Sequence, residues 1–229
     1  METKKTLYKD KSGINHRNKK EYDLNLKDLA ELVKNAEKNS DGKPLLQEKL
    51  LYNAERNKKA HPVHEQCDFP KESYKPDYID EKRICRCMKY YGQDKRLCDK
   101  CELKQKWNNV GKFKITDYEV PMEYVISNVG GIDLLIDDQY AAEIKPKDSQ
   151  ETLVRMFAEI LTYTADSSYQ PAICFFEHSK QMQDFERYRA ENNESLKLLM
   201  EYVSVFYISC EQSQERNDIF DYEIKQIEE

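Results

Sequence analysis

The chain has 229 residues, enough for one domain of good size or a core with a smaller appendage, but 39% hydrophobic against 35% charged residues imply a modest core amid much solvated helix. No apolar run reaches the ~18 residues of a membrane helix, and Met1-Glu2-Thr3-Lys4-Lys5 lacks the apolar segment of a signal peptide, so a cytoplasmic protein with no membrane partner is expected. The net charge of −6 argues weakly against a nucleic-acid partner, yet the chain is basic in front (about +5 over 1–60 and about +7 over 81–114) and acidic behind (about −8 over 115–176 and about −7 over 177–229).

Residues 1–23 are polar and rich in Lys and Asn, and read as a flexible lead-in. Leu26, Leu29, Leu32 and Val33 recur at helical spacing, which predicts a helix over 24–38 with Asn25 as its cap. Ser40 to Pro44 reads as a turn. A second helix is expected over 44–59, closed by His61-Pro62, and a Pro- and Tyr-bearing loop follows to Asp80. Strands are expected from Phe113-Lys114-Ile115 and over 118–126.

Two further strands are expected at Gly131–Ile136 and Tyr140–Lys145, joined by a turn at Asp137-Asp138-Gln139. Pro146 blocks continuation of the second. Asp148-Ser149-Gln150-Glu151 has the form of a capping box for a helix running to about Ala165. The apolar run Pro171–Phe176 reads as a strand covered on both faces. A helix over 179–201, a strand over 203–208 and a polar tail from Glu211 complete the chain, the tail holding a short mixed segment at 219–227. Hairpin strands feeding a crossover helix imply an α/β fold, a mixed sheet with helices on its faces. The organisation expected is an N-terminal helical region (1–80), a small Cys-rich basic insert (81–112), a core (113–210) and a tail (211–229).

Asp133, Glu143 and Lys145 lie inside otherwise apolar strands, where charge is unfavourable unless paired or bound to a metal. Alternation puts Glu143 and Lys145 on one face of their strand, and the tight turn brings Asp133 beside Glu143. Two neighbouring carboxylates repel, and a divalent cation resolves the repulsion. An all-oxygen site favours Mg²⁺ or Mn²⁺ over Zn²⁺. A water held there can attack a phosphodiester, with Lys145 orienting it or offsetting charge on the phosphate. The same residues also describe an exposed hairpin with a surface Glu143–Lys145 ion pair, although that leaves Asp133 unexplained between Ile132 and Leu134.

Asp133 on one strand and Glu143-Ile144-Lys145 on the next, with Gly130-Gly131-Ile132 before them and a helix and apolar strand after, resemble the PD-(D/E)XK nuclease superfamily over roughly 113–210. The resemblance implies a restriction-endonuclease-like fold and metal-dependent cleavage of nucleic acid, DNA favoured over RNA. It makes Asp133 and Glu143 metal ligands, the Ile144 carbonyl a further ligand and Lys145 the catalytic lysine. Glu159 and Tyr163 stand where the RecB/Cas4-like exonuclease branch carries Gln-x-x-x-Tyr, with Glu replacing Gln, and are candidate accessory residues. His64, Glu119 and Glu123 are candidates for a further ligand by the same resemblance.

Cys85-x-Cys87 and Cys98-x-x-Cys101 bring four of the seven cysteines into one short basic segment. Reduced thiols or metal ligands are expected of them rather than disulfides. Four thiolates make a closed tetrahedral zinc site, favoured here over an iron–sulfur cluster or four separate thiols. Arg86, Lys89, Lys95, Arg96, Lys100 and Trp107 surround the cluster, and cations with interleaved aromatics suit phosphates and bases. The reading that follows is a metal-dependent nuclease with a zinc-stapled basic module. The alternative is a non-catalytic zinc-containing module, binding nucleic acid or protein, on a nuclease-like scaffold.

Overall fold

The computed structural model describes residues 25–46, 84–89, 106–121, 131–147, 149, 151–212 and 219–228. Within these the chain is α/β. Its strands are β1 (Lys106–Asn109), β2 (Ile115–Pro121), β3 (Gly131–Ile136), β4 (Tyr140–Lys145), β5 (Gln170–Phe176), β6 (Ser204–Gln212) and β7 (Ile219–Ile227). Its helices are α1 (Leu26–Asn35), α2 (Leu153–Tyr163), α3 (Lys180–Ala190) and α4 (Glu194–Met200), with a further short helical segment at 84–89. One mixed seven-stranded sheet runs in the order β1-β7-β6-β5-β4-β3-β2. Strands β4, β5 and β6 are parallel neighbours, β2–β3–β4 form an antiparallel meander, and β7 returns antiparallel to β6 and takes β1 parallel on its far side.

Alternation along the central strands sorts the core into two layers. Ala141, Ile173, Phe175 and Val205 join the cluster that holds Leu29, Val33, Phe157, Ile160, Phe185 and Leu199 from the four numbered helices. Ala142, Ile144, Cys174, Phe176 and Phe206 face the opposite cluster, closed by Met88 and Cys87 of the 84–89 segment together with Trp107 and Tyr222. β5 is therefore covered on both faces, as its unbroken apolar run requires. Helix α1 packs against α4 and α2. Its cap is Asn25, whose side chain accepts the Asp28 amide at 2.9 Å. Gly42, at φ +78°, supplies the left-handed residue of the turn after α1, a conformation that glycine adopts without strain.

Several boundaries differ from expectation for local reasons. Helix α2 starts at Leu153, capped by Thr152, whose hydroxyl accepts the Arg155 amide at 3.3 Å. The hydroxyl of Ser149 instead accepts the Glu151 amide at 3.2 Å, a local turn ahead of the helix. The single helix expected over 179–201 is two, because Asn192 turns left-handed (φ 54°) and Asn193 caps α4 by accepting the Ser195 and Leu196 amides. The strands expected to begin at 113 and 118 are one strand, irregular between Ile115 and Asp117.

The segment at 219–227 is a full sheet strand, with Tyr222 and Ile224 buried. β1 likewise lies in the stretch expected to be an insert, and both strands belong to the same sheet as the core. The lead-in, most of the helix expected over 44–59 and the loop that follows it lie outside the described residues. Among the described residues no helix is long and apolar enough to cross a membrane.

A candidate active site where β3 and β4 part

The hairpin turn brings the charged residues together. Asp137 and Asp138 both adopt positive φ (51° and 54°), as a short connection between right-twisted strands demands. Aspartate tolerates this region better than most residues. The Lys114 amide donates to Asp137 Oδ1 at 2.7 Å and fixes the turn against the strand before it. From there β3 and β4 pair at Ile136↔Tyr140, Leu135↔Ala141 and Leu134↔Ala142, and the ladder stops. The next step of the register is Asp133 opposite Glu143. Here the Ile144 amide donates to Asp133 Oδ2 at 2.9 Å. β4 meanwhile stays paired with β5 through Glu143↔Ile173 and Lys145↔Phe175.

Glu143 and Lys145 project from the face that α2 covers. They are only 3% and 6% exposed, which rules out the exposed-hairpin reading. Lys145 Nζ lies 2.5 Å from Glu143 Oε1, 3.3 Å from Glu151 Oε2 and 4.0 Å from Glu159 Oε2. From the other side Arg155 reaches the same two outer carboxylates, with Nη1 3.1 Å from Glu151 Oε1 and Nη2 2.7 Å from Glu159 Oε1. Arg155 Nε adds a second bond to that Glu159 oxygen at 2.8 Å.

Burial by itself raises the pKa of the Glu159 carboxyl, but the Arg155 and Lys145 cations beside it more than offset this and hold it below the ordinary carboxylate range. Glu159 is therefore a buried anion. The backbone leading into this helix is tied down as well: the fully buried Gln181 of α3 donates its Nε2 to the carbonyls of Ser149 (3.2 Å) and Glu151 (2.8 Å).

Asp133, Glu143, Lys145 and Glu159 thus fall in one region, whereas Tyr163 packs half-buried against the apolar cluster on that side of the sheet. Glu151 and Arg155 were not among the expected site residues. Their signal was present in the sequence, because Glu151, Arg155 and Glu159 follow at four-residue intervals, the spacing at which helical side chains meet. Of the candidates for a further ligand, Glu119 falls in β2, but its side chain lies outside the described residues, as do His64 and Glu123.

The donors at this end of the hairpin are carboxylate oxygens, and a hard divalent cation takes one or two carboxylates and keeps its waters. Asp133 and Glu143 fit that requirement. Among the described residues no group of three or more His, Cys, Asp or Glu side chains is arranged to hold a metal ion.

The cysteine segment is described in part. Cys85 and Cys87 are buried thiols in the 84–89 segment, and the Trp107 amide donates to Cys87 Sγ at 3.2 Å. Cys98 and Cys101 lie outside the described residues, as do Lys95, Arg96 and Lys100. Two of the expected nucleic-acid contacts are otherwise engaged. Trp107, 7% exposed, gives its indole to the core, stacked on Phe220 with Phe176 and Tyr222 alongside, so it is no platform for a base. The Lys89 ammonium donates to the Thr116 carbonyl. Arg86 is half-buried.

No protein-family model matches the chain, and no curated protein or solved structure matches it significantly.

Proposed function

We propose that the chain is a metal-dependent nuclease of restriction-endonuclease-like fold, hydrolysing phosphodiester bonds of nucleic acid, DNA in preference to RNA. The observation that carries the reading is the buried Glu143–Lys145 pair beside Asp133, at the point where β3 and β4 part. A chain that placed these charges for stability alone would do better with apolar residues, since buried ion pairs seldom repay their desolvation. The mixed sheet with a helix crossing from β4 to the parallel β5 agrees with the fold proposed.

In this reading Asp133, Glu143 and the Ile144 carbonyl hold Mg²⁺ or Mn²⁺, which when bound supplies charge stabilisation at the phosphate. Lys145 offers an ammonium that orients the attacking water or offsets charge on the phosphoryl oxygens in the transition state. Glu159, ionised beneath them, and Arg155 fix the direction from which that ammonium approaches. Zinc belongs to the same proposal as a structural ion on Cys85, Cys87, Cys98 and Cys101. The burial of Cys85 and Cys87 and the amide hydrogen bond to Cys87 Sγ support it.

The test is cleavage of labelled single- and double-stranded DNA and RNA by the full chain, with Mg²⁺ or Mn²⁺ and with chelator. Metal-dependent products from at least one substrate are expected, and Glu143→Ala abolishes them. Intact substrates throughout, with a metal-loaded and folded protein, would leave the non-catalytic module as the better account.

A further inference from the structure

The Glu143 carboxylate meets two demands that conflict. In the proposed function it binds a divalent cation, yet here it is the closest partner of the Lys145 ammonium, at 2.5 Å. An ammonium held against a carboxylate oxygen neutralises the charge that a cation would use. Simply moving it aside would strand a buried positive charge, which is strongly unfavourable. The surroundings offer a way out.

Glu151 and Glu159 each turn one oxygen, Oε1, to Arg155 and the other, Oε2, toward Lys145, at 3.3 and 4.0 Å. Glu151 Oε2 is buried and accepts no well-formed hydrogen bond among the described residues; its contact with Lys145 at 3.3 Å is an ion pair only. Gln181 anchors the backbone of Glu151 through its carbonyl, so this acceptor is held in place before anything moves to it.

We propose that Glu151 and Glu159, oriented by Arg155, form a receiving site to which the Lys145 ammonium shifts when Glu143 engages a divalent cation. The inference rests on the cation-binding part of the proposed function and makes Glu151 and Arg155 positioning residues, neither of them a metal ligand. No proton changes hands. The Glu143–Lys145 pair opens, and the Glu151–Lys145 pair, already formed at 3.3 Å, closes to become the ammonium's shortest contact. The exchange keeps the ammonium buried and paired in both states and leaves it beside the cation, where a phosphate would sit.

The test is calorimetric titration of Mn²⁺ alone into the folded full chain, so that the readout is independent of cleavage. Four proteins are compared: wild type, Glu151→Gln, Lys145→Met and the double variant. Glu151→Gln removes the receiving charge and is expected to weaken Mn²⁺ binding roughly tenfold, within the range of coupling between contacting side chains. In the Lys145→Met background there is no ammonium to relocate, so the same change should leave Mn²⁺ affinity unaltered.

Equal weakening in both backgrounds would make Glu151 a direct ligand and overturn the proposal. So would a Glu151→Gln protein that binds Mn²⁺ as wild type does, or a wild type that binds none. Should Lys145→Met fail to fold, Arg155→Gln decides, because it loosens both receiving carboxylates without touching a ligand. Weakened Mn²⁺ binding is then expected, and unchanged binding refutes the exchange. A wild type that shows the predicted pattern but cleaves no nucleic acid would refute the nuclease reading and leave the exchange standing. One that cleaves, with Mn²⁺ affinity indifferent to Glu151, would refute the exchange alone.

Discussion

β4 and β5 are parallel neighbours in register, both covered by α2, and their buried faces could hardly differ more. Where β5 presents Ile173 and Phe175, β4 presents Glu143 and Lys145 at the same two levels. On the opposite face the two strands agree: Ala142 and Ile144 of β4 lie beside Ala172 and Cys174 of β5 in an apolar layer. Among the described strands, buried charge falls on Glu143 and Lys145 of β4, and α2 answers it with the equally buried Glu159 and with Arg155, beside Met156, Phe157 and Ile160. The lesson is that β5 shows what this position in the sheet accepts when only packing is at stake. β4 departs from it just where Asp133 stands next to the end of the ladder, and functional or strained sites are where departures of this kind are expected.

The comparison can be broken or sharpened by substitution. Lys145→Ala should destabilise the fold by about 3–5 kcal/mol in urea denaturation, because it leaves Glu143 and Glu159 buried with one cation fewer. Phe175→Ala, its neighbour in β5, should lose a similar amount by leaving a cavity. Equal magnitudes thus arise from different causes, and a second substitution separates them. Asp133→Asn keeps an oxygen that can accept the Ile144 amide, so folding should be little changed, while metal-dependent cleavage falls on the order of 10²–10³-fold in kcat. An undiminished rate would remove Asp133 from the site.

Glu143→Leu combined with Lys145→Met makes β4 resemble β5. Stability should then equal or exceed that of wild type by about 1–4 kcal/mol, with cleavage abolished. No such recovery is available to Phe175→Ala from a partner in β5. Smallest is Thr152→Ala, which removes the cap of α2 and should lower stability by about 1 kcal/mol. The rate should fall with it, since Arg155 sits in the turn that the cap secures. A stability loss with the rate untouched would separate Arg155 from function.

Much of the hairpin was legible in the sequence because its marks are local. Two apolar runs flank an Asp-Asp turn, and period-2 alternation assigns Glu143 and Lys145 to one face, which is where they lie. The apolar run of β5 and the Asn25 cap were legible for the same reason. Strand β1 was not, because its partner β7 is far away along the chain, and β7, although it directly follows its partner β6, carries only a weak pattern. Lys106–Asn109 contains one large apolar residue, and the alternation of Phe220, Tyr222 and Ile224 with Asp221, Glu223 and Lys225 is diluted by its polar surroundings. Pairing with β6 gives β7 its buried side, and β7 in turn receives β1.

Trp107 was misplaced by the same blindness. A tryptophan among lysines resembles a surface platform until β7 places Phe220 and Tyr222 beside it. Arg155 and Glu151 were overlooked for another reason. Their spacing is ordinary on any solvated helix, and only the approach of Lys145 from β4 makes it informative.

The claim on which the rest depends is that Asp133 and Glu143 share a divalent cation. Anomalous diffraction from crystals soaked in Mn²⁺ tests it most directly. The account predicts one strong peak within coordination distance of both carboxylates and of the Ile144 carbonyl, with the Lys145 ammonium drawn away from Glu143 toward Glu151. Crystals that bind Mn²⁺ elsewhere, or not at all, while the Glu143–Lys145 pair stays closed would contradict it.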